Sequence, residues 1–132
     1  MRIITFGTYD LIHIGHINIL EKCKNFKGEE NTLIVGISSD EFSFFKKQKY
    51  PIYSQEQRKK ILESLIFVDS VFYEESFVKK RDYILENKAD VFIMGDDWEG
   101  KFDEFNDICK VVYLPRTPSI STTEIVEVIK QK

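Results

Sequence analysis

The stretch RIITFGTYDLIHIGH (residues 2–16) carries a strand, a turn and the start of a helix in one short run. Residues 2–6 are short, apolar and β-branched and end at Gly7, the pattern of a buried strand. From Gly15 to about residue 26, Ile17, Leu20 and Cys23 recur at helical spacing. The tetrad His13-Ile14-Gly15-His16 therefore stands where a parallel strand hands over to a helix. Unpaired backbone N–H groups and the positive end of the helix dipole make such a place an anion site. His13 and His16 are three residues apart, which sets both imidazoles on one face of the first turn. They are the chain's two histidines. One histidine at a helix start would read as a cap; two donors aimed at one anion site fit a phosphate that gains charge during a reaction.

Outward from that run, strand and helix signals alternate. TLIVGIS (residues 32–38) is apolar throughout, as in a strand covered on both faces. Ser39 and Asp40 can cap a short helix holding Phe42 and Phe45, and KKQKYPIY (residues 46–53) reads as a basic loop around Pro51. Ser54 and Gln57 form a capping box for a helix to about residue 66. A third strand is expected over residues 69–73, a helix over 77–87, a fourth strand over 91–94, a short helix over 102–108 and a fifth strand over 111–114. Ser121 caps a last helix to residue 130. Five strands alternating with helices predict an α/β fold, a doubly wound, Rossmann-like five-stranded parallel sheet, with residues 1–132 as a single domain. In such a sheet ligands bind at the carboxyl ends of the strands where the winding reverses, and the first and fourth strands are the expected neighbours there.

Composition bounds the function. At 132 residues, 42% hydrophobic and 31% charged, the chain is long enough for one core and shows no disordered tract. A net charge of −3 argues against nucleic acid as a partner. The basic clusters Lys46/Lys47/Lys49, Arg58/Lys59/Lys60 and Lys79/Lys80/Arg81 read mostly as solvated faces, with room for a small anionic ligand. Cys23 lies on an apolar helix face and Cys109 stands alone, so neither metal site nor disulfide framework is indicated. The chain opens directly on a strand and carries no apolar run of the ~18 residues a membrane span needs; a cytoplasmic protein without signal peptide or membrane segment is expected.

Two further segments bear chemistry. Arg116 leaves the fifth strand beside a hydroxyl-rich helix start at Ser121, Thr122 and Thr123, a second anion cradle. Two such cradles in one small sheet suit a triphosphate, and Thr8 adds a hydroxyl near the first. Asp10 is better read as holding its turn than as orienting a histidine. Asp96 and Asp97 resemble a Mg²⁺ pair but read as loop caps, since a triphosphate brings its own ion. There is no Ser/His/Asp set, paired catalytic carboxylates or P-loop lysine. That suits attack by a phosphomonoester on an α-phosphate: the nucleophile is already anionic and needs no general base, so catalysis reduces to positioning and charge stabilisation.

Taken together, GTYDLIHIGH (7–16), MGDDWEGKFD (94–103) and LPRTPSISTT (114–123) resemble the glycerol-3-phosphate cytidylyltransferase family of the HxGH nucleotidyltransferase superfamily, over essentially the whole chain. The tetrad is shared across that superfamily, whereas RT-x-x-IST is specific to cytidylyltransferases. The resemblance implies that Thr8, Tyr9, His13, Ile14, Gly15 and His16 bind CTP, with Asp97 nearby and Arg116, Thr117, Ser121 and Thr122 closing from the other side. It makes His13, His16 and Arg116 the catalytic groups, assigns Lys46 and Lys80 to the acceptor's phosphate, and matches Arg58 to a family arginine. It implies Mg²⁺ with CTP, no metal held by the protein itself, and a homodimer. The products would be CDP-glycerol and pyrophosphate; the alternative acceptor is another small phosphomonoester such as an amino-alcohol phosphate. The sequence departs from its relatives at Tyr9 (commonly Phe), Ile14 (commonly aromatic) and Ile66, where relatives carry an arginine before the aromatic-Val-Asp run.

Overall fold

Five parallel strands stand in the order β3-β2-β1-β4-β5. In chain order the elements are β1 (Arg2–Gly7), α1 (Ile14–Lys24), β2 (Thr32–Ser38), α2 (Asp40–Lys47), α3 (Gln55–Glu63), β3 (Ser70–Glu74), α4 (Lys80–Glu86), β4 (Val91–Gly95) and β5 (Lys110–Leu114). The structure is a computed structural model and describes residues 1–116 with 126, 127, 129 and 130. The chain winds outward from β1 through β2 to β3, then returns to lay β4 against the other side of β1. The reversal point falls between β1 and β4, as the strand pattern predicts.

Alternation along each strand feeds two cores. Ile3, Leu33, Val35, Ile37, Val91 and Ile93 face one way, under Leu20 and Cys23 of α1 and Leu62 of α3. Ile4, Phe6, Ile34, Phe92 and Met94 face the other, with Ile84 of α4 and the aromatic turn Phe102–Phe105. Gly36 sits under the rings of Phe6 and Phe72; a Cβ there would come within 2.5 Å of Phe6. No described helix is long and apolar enough to cross a membrane.

The structure corrects several expected boundaries. Lys46 and Lys47 form the last turn of α2 rather than a loop, because Ser39 caps the helix by accepting from Phe42 N and the left-handed Gln48 (φ 60°) stops it. Helix α4 starts at Lys80, three residues late, and α3 ends at Glu63. Strand β3 runs one residue further than expected and so includes Glu74. Two basic clusters are not simply solvated: Arg58 and Lys80 are buried. Residues 126, 127, 129 and 130 are helical, while the cap expected at Ser121 lies outside the described residues.

Candidate active site

His13 and His16 cap each other. His13 is the N-cap of α1 and its Nδ1 accepts from Gly15 N at 3.0 Å; His16 Nδ1 accepts from His13 N at 3.1 Å. The ring centroids are 3.9 Å apart, tilted by 30°. The cap reading is thus realised, and the same arrangement keeps both rings at the N-terminus of α1. With Nδ1 accepting, a neutral ring carries its proton on Nε2. Burial, reinforced by the neighbouring His13 and opposed by Asp10, pushes the His16 imidazole down to about 4. At neutral pH His16 is therefore an N–H donor without charge, at a helix N-terminus that favours anions.

The turn that presents this pair is strained, and other residues hold it. Tyr9 and Leu11 adopt left-handed backbone (φ 55° and 51°), which costs roughly 1–2 kcal/mol for a residue with a Cβ. Asp10 accepts from Ile52 N at 2.7 Å and Tyr53 N at 3.0 Å, so it pins the turn to the loop before α3, the structural role expected of it. Tyr9 is 5% exposed and its ring lies 5.3 Å from that of His16. A Cβ on Gly7 would meet that ring at 2.7 Å, so glycine is required where the strand ends. From Tyr9 a ligand is offered backbone rather than ring. Ile14 points outward and is exposed.

Arg58 is the keystone of the turn. Its fully buried guanidinium donates from Nη1 to Thr8 O (2.9 Å) and Ser38 O (2.8 Å), and from Nε to Tyr53 O (3.0 Å). Nη2 pairs with Asp40 at 2.8 Å. Every one of these partners is structural, which makes Arg58 a positioning residue.

The two lysines expected to hold an acceptor phosphate converge on the ends of β2 and β3. Lys46 Nζ donates to Ser38 Oγ at 2.7 Å and lies over the Phe42 ring. Burial pushes this ammonium down to about 8, with Glu74 opposing. Lys80 Nζ lies 2.7 Å from Glu74 Oε2, outside straight hydrogen-bond geometry, and over the rings of Phe6 and Phe102. Ser38 and Glu74 are register partners, and the neighbouring Ile37 pairs with Gly7 beside the histidine turn. With strands about 4.8 Å apart, the lysine and histidine groups sit on adjacent strand ends. The sequence reading missed Glu74, whose one available signal was an acid at the carboxyl end of a strand.

On the far side of the reversal point, Asp96 and Asp97 lie in an exposed 3₁₀ turn (Asp96–Trp98) directly after β4. A Cβ on Gly95 would meet Asp97 Oδ1 at 2.7 Å, so the turn folds back over the strand end. Trp98 packs against Phe102, as an anchor of that loop. Arg116 is exposed just beyond β5, while Thr117, Ser121 and Thr122 lie outside the described residues. Among the described residues, no three His, Cys, Asp or Glu side chains are grouped to hold a metal ion.

The chain matches the family "Cytidylyltransferase-like" over residues 4–128. It is 51% identical over 128 residues to the glycerol-3-phosphate cytidylyltransferase of Bacillus subtilis (strain 168), covering 97% of this chain and 96% of that protein. It is 48% identical over 124 residues to the enzyme of the same name from Staphylococcus aureus (strain NCTC 8325 / PS 47), covering 94% of this chain and 91% of that one. Among solved structures, the lipopolysaccharide core biosynthesis protein from Thermoplasma volcanium GSS1 superposes with a TM-score of 0.72 at 21% identity, over 89% of this chain and 98% of its own. That likeness speaks for the fold. The sheet, the paired histidines at its reversal point and the match over nearly the full sequence agree, and the chain belongs to the cytidylyltransferase-like family.

Proposed function

We propose that this chain transfers a cytidylyl group from CTP to sn-glycerol 3-phosphate. An oxygen of the acceptor's phosphate forms a new bond to the α-phosphorus of CTP, the bond from that phosphorus to the β-phosphate oxygen breaks, and the products are CDP-glycerol and pyrophosphate. The observation that carries this reading is the mutual cap of His13 and His16, which fixes two ring donors at the N-terminus of α1. Charge grows on the α-phosphate oxygens as the bonds exchange, and these donors together with the helix end stabilise it there. No base is needed to generate the nucleophile, since a phosphomonoester is already anionic near neutral pH. Arg116 would draw charge from the leaving pyrophosphate, helped by Thr117, Ser121 and Thr122. The names of the two curated relatives support both substrates.

We infer that Mg²⁺ enters on the triphosphate, whose oxygens suit this hard ion; the chain contributes at most the Asp96–Asp97 carboxylates. We further infer a homodimer working in the cytoplasm, where CTP is made. The homodimer's support is the family resemblance. Light scattering on the purified protein tests the dimer.

The activity is tested by measuring pyrophosphate release with CTP, ATP and a panel of phosphomonoesters. We expect CTP with sn-glycerol 3-phosphate to be the strongly preferred pair. Comparable release from ATP would sink the cytidylyl assignment, and preference for an amino-alcohol phosphate would replace the acceptor.

A further inference from the structure

Glu74 is tied to both lysine-bearing helices. Its backbone oxygen accepts from Ser39 N at 3.0 Å, and Ser39 is the residue that caps α2, the helix of Lys46. Its carboxylate pairs at 2.7 Å with Lys80, the first residue of α4, with only 2% of the acid's and 4% of the lysine's side chain exposed. We propose that Glu74 is a positioning residue of the acceptor subsite: it holds the Lys80 ammonium at the end of β3, with Lys46 beside it, so that the two read the acceptor's phosphate together. This rests on the function proposed above.

An ion pair this deeply buried is weak as a stabiliser, because desolvating two charges offsets their attraction. A pair of apolar side chains would serve a core better. What the pair provides is a lysine that keeps its proton in a place that would otherwise remove it. Burial lowers the Lys80 ammonium, and Glu74 opposes that loss directly. The same carboxylate opposes the loss at Lys46. The rings of Phe6, Phe77, Phe92 and Phe102 surround the Lys80 ammonium at 4.1 to 5.8 Å and add attraction for the cation. The other charges acting on Lys46 are Lys47 on α2, Lys80 on α4 and Arg58 on α3; Arg58 is paired with Asp40. Glu74 is thus the acid that offsets these cations, and its neighbours on the strand end are the groups an acceptor phosphate would meet.

The test compares wild type with Glu74→Gln, Glu74→Asp, Lys80→Met and the Glu74→Gln/Lys80→Met pair, using CTP and sn-glycerol 3-phosphate from pH 6.5 to about 9.5, with melting curves on each protein. We expect Glu74→Gln to raise the acceptor's KM roughly tenfold while the KM for CTP stays within about twofold. The alkaline fall in kcat/KM for the acceptor should begin at lower pH than in wild type. In the Lys80→Met background the same substitution should add less than about twofold, because the two residues act as one unit. A folded Glu74→Gln protein with an unchanged acceptor KM, equal losses for both substrates, or an unmoved alkaline limb overturns the proposal. Should Glu74→Gln not fold, Glu74→Asp decides: it keeps the charge but withdraws it by one methylene, so the acceptor's KM should rise with the limb in place, and an unchanged KM overturns the proposal. Wild type that releases no pyrophosphate from this pair removes the functional reading and this inference together; active wild type with unaltered Glu74 variants removes this inference alone.

Discussion

Arg58 reaches across fifty residues of chain to donate from Nη1 to the carbonyl oxygen of Thr8, 2.9 Å away. The contact joins α3, on the outside of the sheet, to the turn that carries the histidines. It also explains how Tyr9 and Leu11 persist in left-handed backbone: strain of this kind lasts only where the surroundings over-determine it. Asp10 grips the loop before α3 from one side and Arg58 grips the turn from the other.

Replacing Arg58 by lysine should therefore damage both stability and turnover. A lysine has one ammonium where the fork now satisfies Thr8, Ser38, Tyr53 and Asp40, so buried carbonyls and a carboxylate lose their donors. We expect a loss of about 3 kcal/mol in urea unfolding, the usual cost of breaking a buried pair from one side. The folded fraction should show raised KM values for both substrates, since the whole turn loosens. Near-normal stability would show that the clamp is dispensable.

The fold was legible because the strands are short apolar runs and the starts of α1, α2 and α3 carry a capping side chain; α4 has none, and its start fell three residues later than expected. Ser39 and Ser54 cap their helices as the sequence indicates, and β2 spans the residues expected. The histidine pair was legible for the same reason: its spacing and its place after a strand are local facts. What escaped was burial of charge. Arg58 and Lys80 sit in basic runs that read as solvated faces, and only the tertiary approach of Thr8, Ser38 and Glu74 takes them inside. Glu74 itself has no local signature, since its partners lie on α4 and at the cap of α2.

Substituting His16 by alanine separates the two roles that the mutual cap combines. Loss of the cap alone should cost on the order of 1 kcal/mol of stability. Loss of a donor to the growing charge should lower turnover by roughly 10²–10³-fold, about 3–4 kcal/mol, with a smaller change in CTP affinity. Turnover, CTP binding and melting temperature measured on one preparation distinguish these. A well-folded variant that keeps more than about a tenth of normal turnover would rule out the catalytic role.

The low pKa of His16 makes acid weaken the fold. The imidazole titrates at 6.5 in the unfolded chain and at about 4 when folded, so between these values the unfolded chain binds more protons. Stability from this group is complete above pH 6.5 and is lost as the pH falls toward 4, by up to roughly 3 kcal/mol. Urea melts of wild type and His16→Asn at pH 7.5 and 4.5 should show the larger drop in wild type. Equal drops in the two proteins would mean that His16 is no more buried than an ordinary surface histidine.

Lys46 should set the alkaline limit for the acceptor. Its ammonium is held down to about 8 by burial, so raising the pH through that value discharges one of the two groups assigned to the acceptor's phosphate. We expect kcat/KM for sn-glycerol 3-phosphate to fall above about pH 8, while kcat/KM for CTP at saturating acceptor stays flat, because the first parameter reports ionisations of the enzyme before the acceptor binds. Lys46→Arg should move that fall beyond the accessible range, since a guanidinium keeps its proton there. Lys46→Ala should abolish the fall and raise the acceptor's KM about tenfold at pH 7.5, with the CTP value within about threefold. Lys46 lies on α2, beside the end of β2, and meets Ser38 rather than the histidine turn, so CTP has little reason to sense its loss. A larger rise in KM for CTP than for the acceptor would move Lys46 from the acceptor subsite to the nucleotide.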